Sequence, residues 1–395
     1  MSATERAGPP KVSPLYDPRV RSLAYQVLLA AIVGFLIYSA ITNAAENLAR
    51  ARIASGFGFW DGLAGFDISQ TLISYSSTTS TYGRAFWVGL INTLLVAVLG
   101  IVFATILGFL VGIARLSRNL LVSRMAATYV EVVRNLPLLL QLLFWYNAVL
   151  KTLPDVRQSV TVGNFAFLNN RGLFLPQFQF NAGGAELTAS LVLALLGSVG
   201  FAMWARKRQR ETGKQSPVFL TSLGLFILLP LAVLLSGSIR LAISLPELGR
   251  FNIRGGTEIL PEFVALLFGL VVYTAAFIAE VVRAGILAVS RGQTEAANAL
   301  GLRSGPTLRL VVIPQAMRVI IPPLTSQYLN LTKNSTLAVA IGSPDLVQIF
   351  TGTVLNQTGQ AVEVIVITMA VYLTISLVTS GLMNIYNARM ALVER

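Results

Sequence analysis

The chain has 395 residues, of which 54% are hydrophobic and 12% are charged, with a formal net charge of +13 at pH 7. Soluble domains have about 45–50% apolar and about 25% charged residues, so this composition predicts an integral membrane protein. The absence of cysteine and histidine excludes disulfides, thiol nucleophiles, Ser-His-Asp catalysis and Cys/His metal sites. Because the positive charges lie in short clusters between apolar runs, we predict no nucleic-acid partner.

Apolar runs long enough to cross a bilayer recur along the chain. Since a membrane helix needs about 20 mostly apolar residues, we predict an all-α integral membrane protein with about eight spans. In chain order these spans are 23–43, 86–113, 126–150, 187–205, 217–237, 263–289, 319–342 and 363–386. The first run could instead be a secretory signal. It is longer than the apolar part of most signals and follows a proline-rich leader, so we expect an uncleaved span.

The distribution of Lys and Arg predicts the orientation. With eight spans, the N-terminal leader, the C-terminal tail and the segments 115–124, 206–214 and 290–318 fall on one side of the membrane. Lys and Arg are enriched in cytoplasmic segments. Segment 343–362, on the opposite side, contains neither residue. We therefore predict that both termini are cytoplasmic and that the lipid bilayer surrounds the spans.

Segment 290–318 is polar, although it joins two apolar runs. The stretch "TEAANAL" favours helix, Gly301 is a natural helix end, and Ser304-Gly305-Pro306 supplies a turn that begins a second helix. Pro314 is expected to interrupt this second helix and redirect the chain into the next span.

This segment resembles the EAA loop of ATP-binding-cassette (ABC) importer permeases. Glu295, Ala296 and Ala297 precede Gly301, and "VVIP" ends at Pro314, with valine in place of the usual isoleucine and isoleucine in place of leucine. The resemblance implies that the loop docks onto a separate cytoplasmic ATPase subunit and couples ATP hydrolysis to transport.

Other stretches resemble the permeases of bacterial polar amino-acid importers, the His/Glu/Gln/Arg/opine group. They include "GLINTLLVAVLG", "YVEVVRNLPLLLQLLFWY", "YTAAFIAEVVRAGILAV" and "LNLTKNSTLAVAIGSPDL". The total length resembles the general L-amino-acid subfamily. The resemblance implies an inner-membrane permease with a type I importer core formed by spans 2, 3, 6, 7 and 8. It also implies a second permease in a heterodimer and a periplasmic amino-acid-binding protein.

The resemblance divides the chain into four parts. Residues 1–85 hold the cytoplasmic leader, the first span and a periplasmic loop, and 86–150 hold the first part of the core. Residues 151–262 are an insertion with two extra spans, and 263–395 complete the core with the coupling loop. Contact with a solute-binding protein and structural padding are both open as roles for the insertion.

The chain lacks the phosphate-binding loop G-x-x-x-x-G-K-[ST]. Its "GK" pair, Gly213-Lys214, is followed by Gln215. We therefore predict that this chain is not an enzyme, has no catalytic residues and binds no cofactor, and that a partner subunit uses ATP.

Ionisable residues within predicted spans are candidates for a transport path or for ion pairs. Glu131 and Arg134, and likewise Glu280 and Arg283, are spaced three apart, so the members of each pair can meet on one helix face. We predict a structural ion pair for Glu131 and Arg134. Glu280 and Arg283, which lie deeper in their span, are candidates for the path.

An amino-acid substrate has a carboxylate and an ammonium group, so its path needs donors and acceptors. Lys333, with Asn330, Asn334 and Ser335, could bind the carboxylate, and Glu280 could bind the ammonium. An ion pair between Lys333 and Glu280 across a helix interface is equally open.

A glycine motif and an alternative function remain to be considered. Gly108 and Gly112 form a G-x-x-x-G motif that we expect to serve close helix packing. A self-contained, ion-coupled secondary amino-acid transporter is the alternative function, and such transporters often contain inverted repeats. The chain shows only the short repeat "EVVR", which favours the ABC permease.

Overall fold

The computed structural model describes residues 18–50, 55–163, 165–182, 184–213, 216–236, 240–249 and 252–390. The proline-rich leader up to residue 17 and the last five residues of the tail lie outside this range. The α-helices are α1 Pro18–Arg50, α2 Tyr82–Ala114, α3 Leu120–Asn135, α4 Leu138–Leu143, α5 Gly184–Thr212, α6 Val218–Leu235, α7 Pro261–Leu287, α8 Arg291–Ala299, α9 Ser304–Thr307, α10 Ile313–Asn334, α11 Leu355–Thr358 and α12 Ala361–Met390.

Seven helical stretches in the described part of the chain are long and apolar enough to cross a membrane. They are Val20–Asn43, Tyr82–Ala114, Ala185–Thr212, Val218–Leu235, Pro261–Leu287, Ser304–Ile341 and Ala361–Ala388. These stretches match seven of the eight predicted spans. Large apolar side chains such as Leu36 in α1 and Phe219 in α6 are exposed on the isolated chain, as expected for helices that face lipid.

The predicted third span, 126–150, is not one continuous helix. Helix α3 ends at Asn135, Leu136 has extended backbone angles of φ −95° and ψ 132°, and α4 begins after Pro137. A π-helical turn, Phe144–Leu150, follows α4. The α conformation is disfavoured immediately before a proline, and Pro137 has no N–H to donate, so the helix breaks where the apolar pattern continues.

The parts of the insertion that flank its two helices contain β-structure, which was not predicted from the sequence. The strands are β1 Val160–Val162, β2 Ala166–Asn169, β3 Gly172–Leu175, β4 Gln177–Ala182, β5 Arg240–Ser244, β6 Glu247–Leu248, β7 Ile253–Arg254 and β8 Thr257–Ile259. One sheet has the antiparallel order β1-β2-β3-β8, while β4 pairs with β5 and β6 with β7. The β4–β5 ribbon flanks the hairpin formed by α5 and α6.

Contacts divide the described chain into two compact units. One comprises the described residues up to Leu90 together with Leu346–Ile375. Its core centres on aromatic rings, and Phe86 and Phe350 meet edge to face at 5.2 Å. In its loop before α2, Tyr75 donates a hydrogen bond to the Phe66 carbonyl at 2.7 Å, and burial, followed by nearby Asp67, raises the pKa of Tyr75 to about 12.

The other unit comprises Ile91–Asp345 and the described residues from Ser376 onwards. Its core includes fully buried Leu142, Leu266 and Leu270. The expected close packing at the G-x-x-x-G motif is confirmed. A Cβ atom on Gly112 would lie 2.8 Å from the Ala279 carbonyl oxygen of α7, closer than real Cβ atoms approach other atoms.

Candidate functional site: the coupling loop and a charge cluster

Helix α8 ends in a Schellman motif. The Leu302 N–H donates to the Ala297 carbonyl at 3.1 Å, and the Gly301 N–H donates to the Asn298 carbonyl at 2.9 Å. These two bonds satisfy carbonyl groups that a helix end otherwise leaves without donors. The coupling loop therefore turns through a hydrogen-bonded, defined geometry.

Gly301 is required by its backbone conformation rather than by lack of space. Its φ angle is +76°, in the left-handed region that side chains with a Cβ disfavour. A Cβ atom on Gly301 would meet no heavy atom within 4 Å. Substitutions here consequently act on the turn itself.

The three residues of the EAA motif have different environments. Glu295 and Ala296 are exposed, whereas Ala297 is buried. Ala297 thus contributes to the internal packing of the loop and to the Schellman motif, and only the first two residues are available to another protein. Beside the turn, Leu300 is 82% exposed, an unusual position for a large apolar side chain outside the lipid-facing helices. The sequence analysis missed Leu300.

Pro314 does not interrupt the second helix of the loop. Helix α9 continues through a π-helical turn, Leu308–Val312, into α10, and Pro314 lies in the first turn of α10. The π-helical turn directly precedes Pro314, which has no N–H to donate, so the irregular hydrogen bonding lies where the proline removes a donor. Gln315 donates a hydrogen bond to the Gln293 side-chain oxygen at 3.2 Å, which joins the two ends of the loop.

A cluster of charges surrounds Glu280 on α7. One of its carboxylate oxygens accepts a bond from the Arg283 guanidinium at 2.7 Å. The other is hydrogen-bonded to Arg115, directly after α2, and lies 3.8 Å from the Arg134 guanidinium on α3. One carboxylate therefore connects three guanidinium groups from three places in the chain.

The predicted pairing within this cluster is partly corrected. Glu280 and Arg283 meet as their spacing allows. Arg134 lies against Glu280 and 5.0 Å from the Phe277 ring centre, and no described basic side chain lies within 4 Å of the Glu131 carboxylate. The Glu131 side chain is exposed to solvent on α3, whereas the Arg134 side chain extends from α3 to Glu280 on α7. Arg115 was not among the predicted site residues because it lies outside the predicted span 86–113. Its charge was used only to predict the orientation of the chain.

The structure does not bring Lys333 together with Glu280. Lys333 and Asn330 are exposed on α10, and no carboxylate of the described chain lies within 4 Å of the Lys333 ammonium. Asn334 ends α10 and is half-buried. Ser335 is fully buried and donates to the Thr332 carbonyl at 2.8 Å. The described residues contain no group of Asp and Glu side chains that could hold a metal ion.

Comparisons with known proteins identify the family of this chain. Residues 211–392 match the family model described as a binding-protein-dependent transport system inner membrane component. The general L-amino acid transport system permease protein AapQ of Rhizobium johnstonii is 52% identical over 97% of this chain and 95% of its own length. The putative amino-acid ABC transporter permease protein YhdX of Escherichia coli is 51% identical over 96% of both chains.

A third relative has a narrower description. The glutamate/glutamine/aspartate/asparagine transport system permease protein BztB of Rhodobacter capsulatus is 42% identical over 96% of both chains. All three alignments extend through the insertion, so they cover more than the core that carries the coupling loop. This chain therefore belongs to the family of amino-acid ABC transporter permeases.

Proposed function

We propose that this protein is the membrane-spanning permease subunit of an ATP-driven importer of amino acids. The observation that carries the proposal is the coupling loop, a hydrogen-bonded turn at Gly301 that presents Glu295, Ala296 and Leu300 to solvent. The names of the relatives support amino acids as substrates. ATP hydrolysis belongs to a separate subunit, since no phosphate-binding loop occurs in this sequence.

The coupling loop suits transmission of force from an ATPase. A coupling element must be stiff, and the Schellman motif and the Gln293–Gln315 hydrogen bond both restrict its shape. Leu300 is suited to fill an apolar pocket on the ATPase, because interfaces gain most from apolar anchors enclosed by polar contacts. Glu295 can pair with a basic residue at the rim of that pocket.

The remaining partners and the orientation follow from the family and the charge distribution. Members of this family work with ATPase and substrate-binding subunits, and we infer a second, different permease as the partner within the membrane. The Lys and Arg clusters support a bacterial inner-membrane protein with cytoplasmic termini. The β-structured insertion then lies on the periplasmic side.

For the transport path, Lys333 and Asn330 are the better-placed candidates because their side chains are exposed on α10. Asn334 is half-buried next to them, and buried Ser335 supports the helix end. Glu280 and Arg283 bind each other, so a substrate ammonium could reach Glu280 only after an arginine releases it. We infer that the main role of Glu280 in this arrangement is to hold α7 against α3 and the end of α2.

Reconstitution tests the proposal. The permease is placed in proteoliposomes with a second permease, an ATPase and a binding protein of the same importer, and uptake of labelled amino acids is measured with and without ATP. We expect uptake that requires ATP and the binding protein, and co-purification should recover a second permease. Uptake by the isolated chain driven by an ion gradient without ATP would instead establish the secondary transporter.

A further inference from the structure

The C-terminal end of α5 carries a dense group of cations, which we call the α5 basic end: Arg206, Lys207, Arg208 and Arg210. It follows an apolar stretch, 187–205, which is about 28 Å long at about 1.5 Å per residue. Because the hydrocarbon core of a bilayer is about 30 Å thick, the last two turns of α5 extend into the headgroup region.

The α5 basic end has little neutralising charge among the described residues. All four side chains are exposed. Lys207 lies 4.0 Å from Glu211, and no carboxylate of the described residues lies within 4 Å of the other three guanidinium groups. Helix α6, the partner in the hairpin, has no buried residue and no acidic residue. The described residues therefore leave most of this positive charge available to a partner outside the hairpin.

Three of the four cations lie on the side of α5 away from its buried residues. At about 100° per residue, Arg206, Lys207 and Arg210 fall within one arc of about 100°. Ala194, Ser198 and Ala205, which are buried, lie on the opposite side of α5. These three side chains therefore face the surroundings of the hairpin at the level of the membrane surface.

The fourth cation is held against an aromatic ring that belongs at the same height. The Arg208 guanidinium lies 5.1 Å from the ring centre of Trp204, and the Trp204 side chain is itself exposed. Tryptophan is enriched at the boundary between hydrocarbon and headgroups. Trp204 thus places the α5 basic end in the layer that contains lipid phosphates.

We propose that the α5 basic end binds the headgroups of anionic phospholipids. Clusters of Lys and Arg next to a membrane helix attract anionic lipids, and guanidinium groups pair well with phosphate. Lipids cover the surface of a membrane helix that no protein covers, so the outward-facing cations contact lipid headgroups directly. The lipid contact anchors the hairpin formed by α5 and α6.

Native mass spectrometry of the full chain tests this proposal. The protein is exchanged into neutral detergent with equal amounts of phosphatidylglycerol and phosphatidylcholine, and the retained lipids are counted. We expect several-fold more phosphatidylglycerol than phosphatidylcholine on the wild type. The double variant Arg206→Gln/Arg210→Gln should lose most of this preference, and Arg206→Lys/Arg210→Lys should keep it.

A matched control removes the same charge elsewhere. Arg157→Gln/Arg254→Gln changes two exposed arginines of the β-structured region and should retain the wild-type preference. Equal retention of the two lipids by the wild type would overturn the proposal. So would an equal loss of preference in the two glutamine variants, or a preference in Arg206→Gln/Arg210→Gln that matches the wild type.

Discussion

At the scale of single residues, Gly301 makes a sharp prediction about coupling. A residue with a Cβ in the left-handed region costs about 1–2 kcal/mol, which shifts the turn away from its Schellman geometry by roughly five- to thirtyfold. We expect Gly301→Ala to insert normally but to retain much less ATPase on co-purification. Gly301→Asn should be milder, because asparagine tolerates this conformation better than alanine does.

Gly305 supplies the control for this experiment. It lies in α9 with ordinary backbone angles, and a Cβ atom there would also meet no heavy atom within 4 Å. Gly305→Ala should therefore retain the ATPase as the wild type does. Equal binding by Gly301→Ala and the wild type would mean that the left-handed turn is not needed for docking.

Glu280 gives a second prediction, about stability. Replacing it by glutamine leaves three guanidinium groups without their shared carboxylate, and an unpaired, partly buried polar group costs about 1–3 kcal/mol. We expect Glu280→Gln to lower the melting temperature of the purified protein. The double variant Glu280→Gln/Arg283→Met should recover part of the loss, because it removes one of the uncompensated charges.

Glu131→Gln is the matched control, since Glu131 is an exposed carboxylate on α3 with no cation of the described chain within 4 Å. Its melting temperature should equal that of the wild type. A loss in Glu131→Gln as large as that in Glu280→Gln would show that the effect does not come from the arginine cluster.

At the scale of elements, the packing of α2 on α7 predicts sensitivity at Gly112. The obstacle to a Cβ atom there is the Ala279 carbonyl, which is backbone and cannot rotate away. We expect Gly112→Ala to push α2 and α7 apart and to lower the free energy of unfolding by about 1–3 kcal/mol, as overpacking does. Gly200→Ala in α5, where a Cβ atom would meet nothing within 4 Å, should be neutral. A neutral Gly112→Ala would contradict the close packing.

The helices and strands also differ in how well sequence patterns predict them. Seven of the eight spans predicted from long apolar runs are apolar membrane-length helices in the described chain, because hydrocarbon demands both length and apolar character. The same pattern joined α3 and α4 into one span, since hydropathy is insensitive to the missing N–H of Pro137. The strands β1 to β8 escaped prediction because most have two to five residues, too few for a clear alternation.

At the scale of the whole molecule, the orientation can be tested with single cysteines. The chain contains no cysteine, so each introduced thiol is the only one present. We expect Thr79→Cys, at an exposed position before α2, to react with an impermeant maleimide in intact cells. Arg210→Cys, at the α5 basic end, should react only after the membrane is opened. The reverse pattern would place the coupling loop outside and exclude docking to a cytoplasmic ATPase.

Some features of the whole molecule could not be predicted from local sequence. The motif residues around Gly301 were sufficient to predict a docking loop because that candidate site is built from one continuous segment. The charge cluster joins Arg115, Arg134 and Glu280 from three separated segments, so its partners depend on how α2, α3 and α7 pack. Spacing within one helix could predict only the Glu280–Arg283 pair.

The β4–β5 ribbon has a consequence for how this protein can vary in size. Its register pairs Ala182 with Arg240, so the chain leaves for the helical hairpin and returns at adjacent points. A segment whose two ends lie side by side can be removed as a unit, because a tight turn can join the ends that remain. We call this segment, residues 183–239, the cassette. Replacing residues 183–239 by Asn-Gly should therefore give a shorter permease that still inserts and binds its ATPase. Aggregation of this shortened chain would show that the cassette is needed for folding.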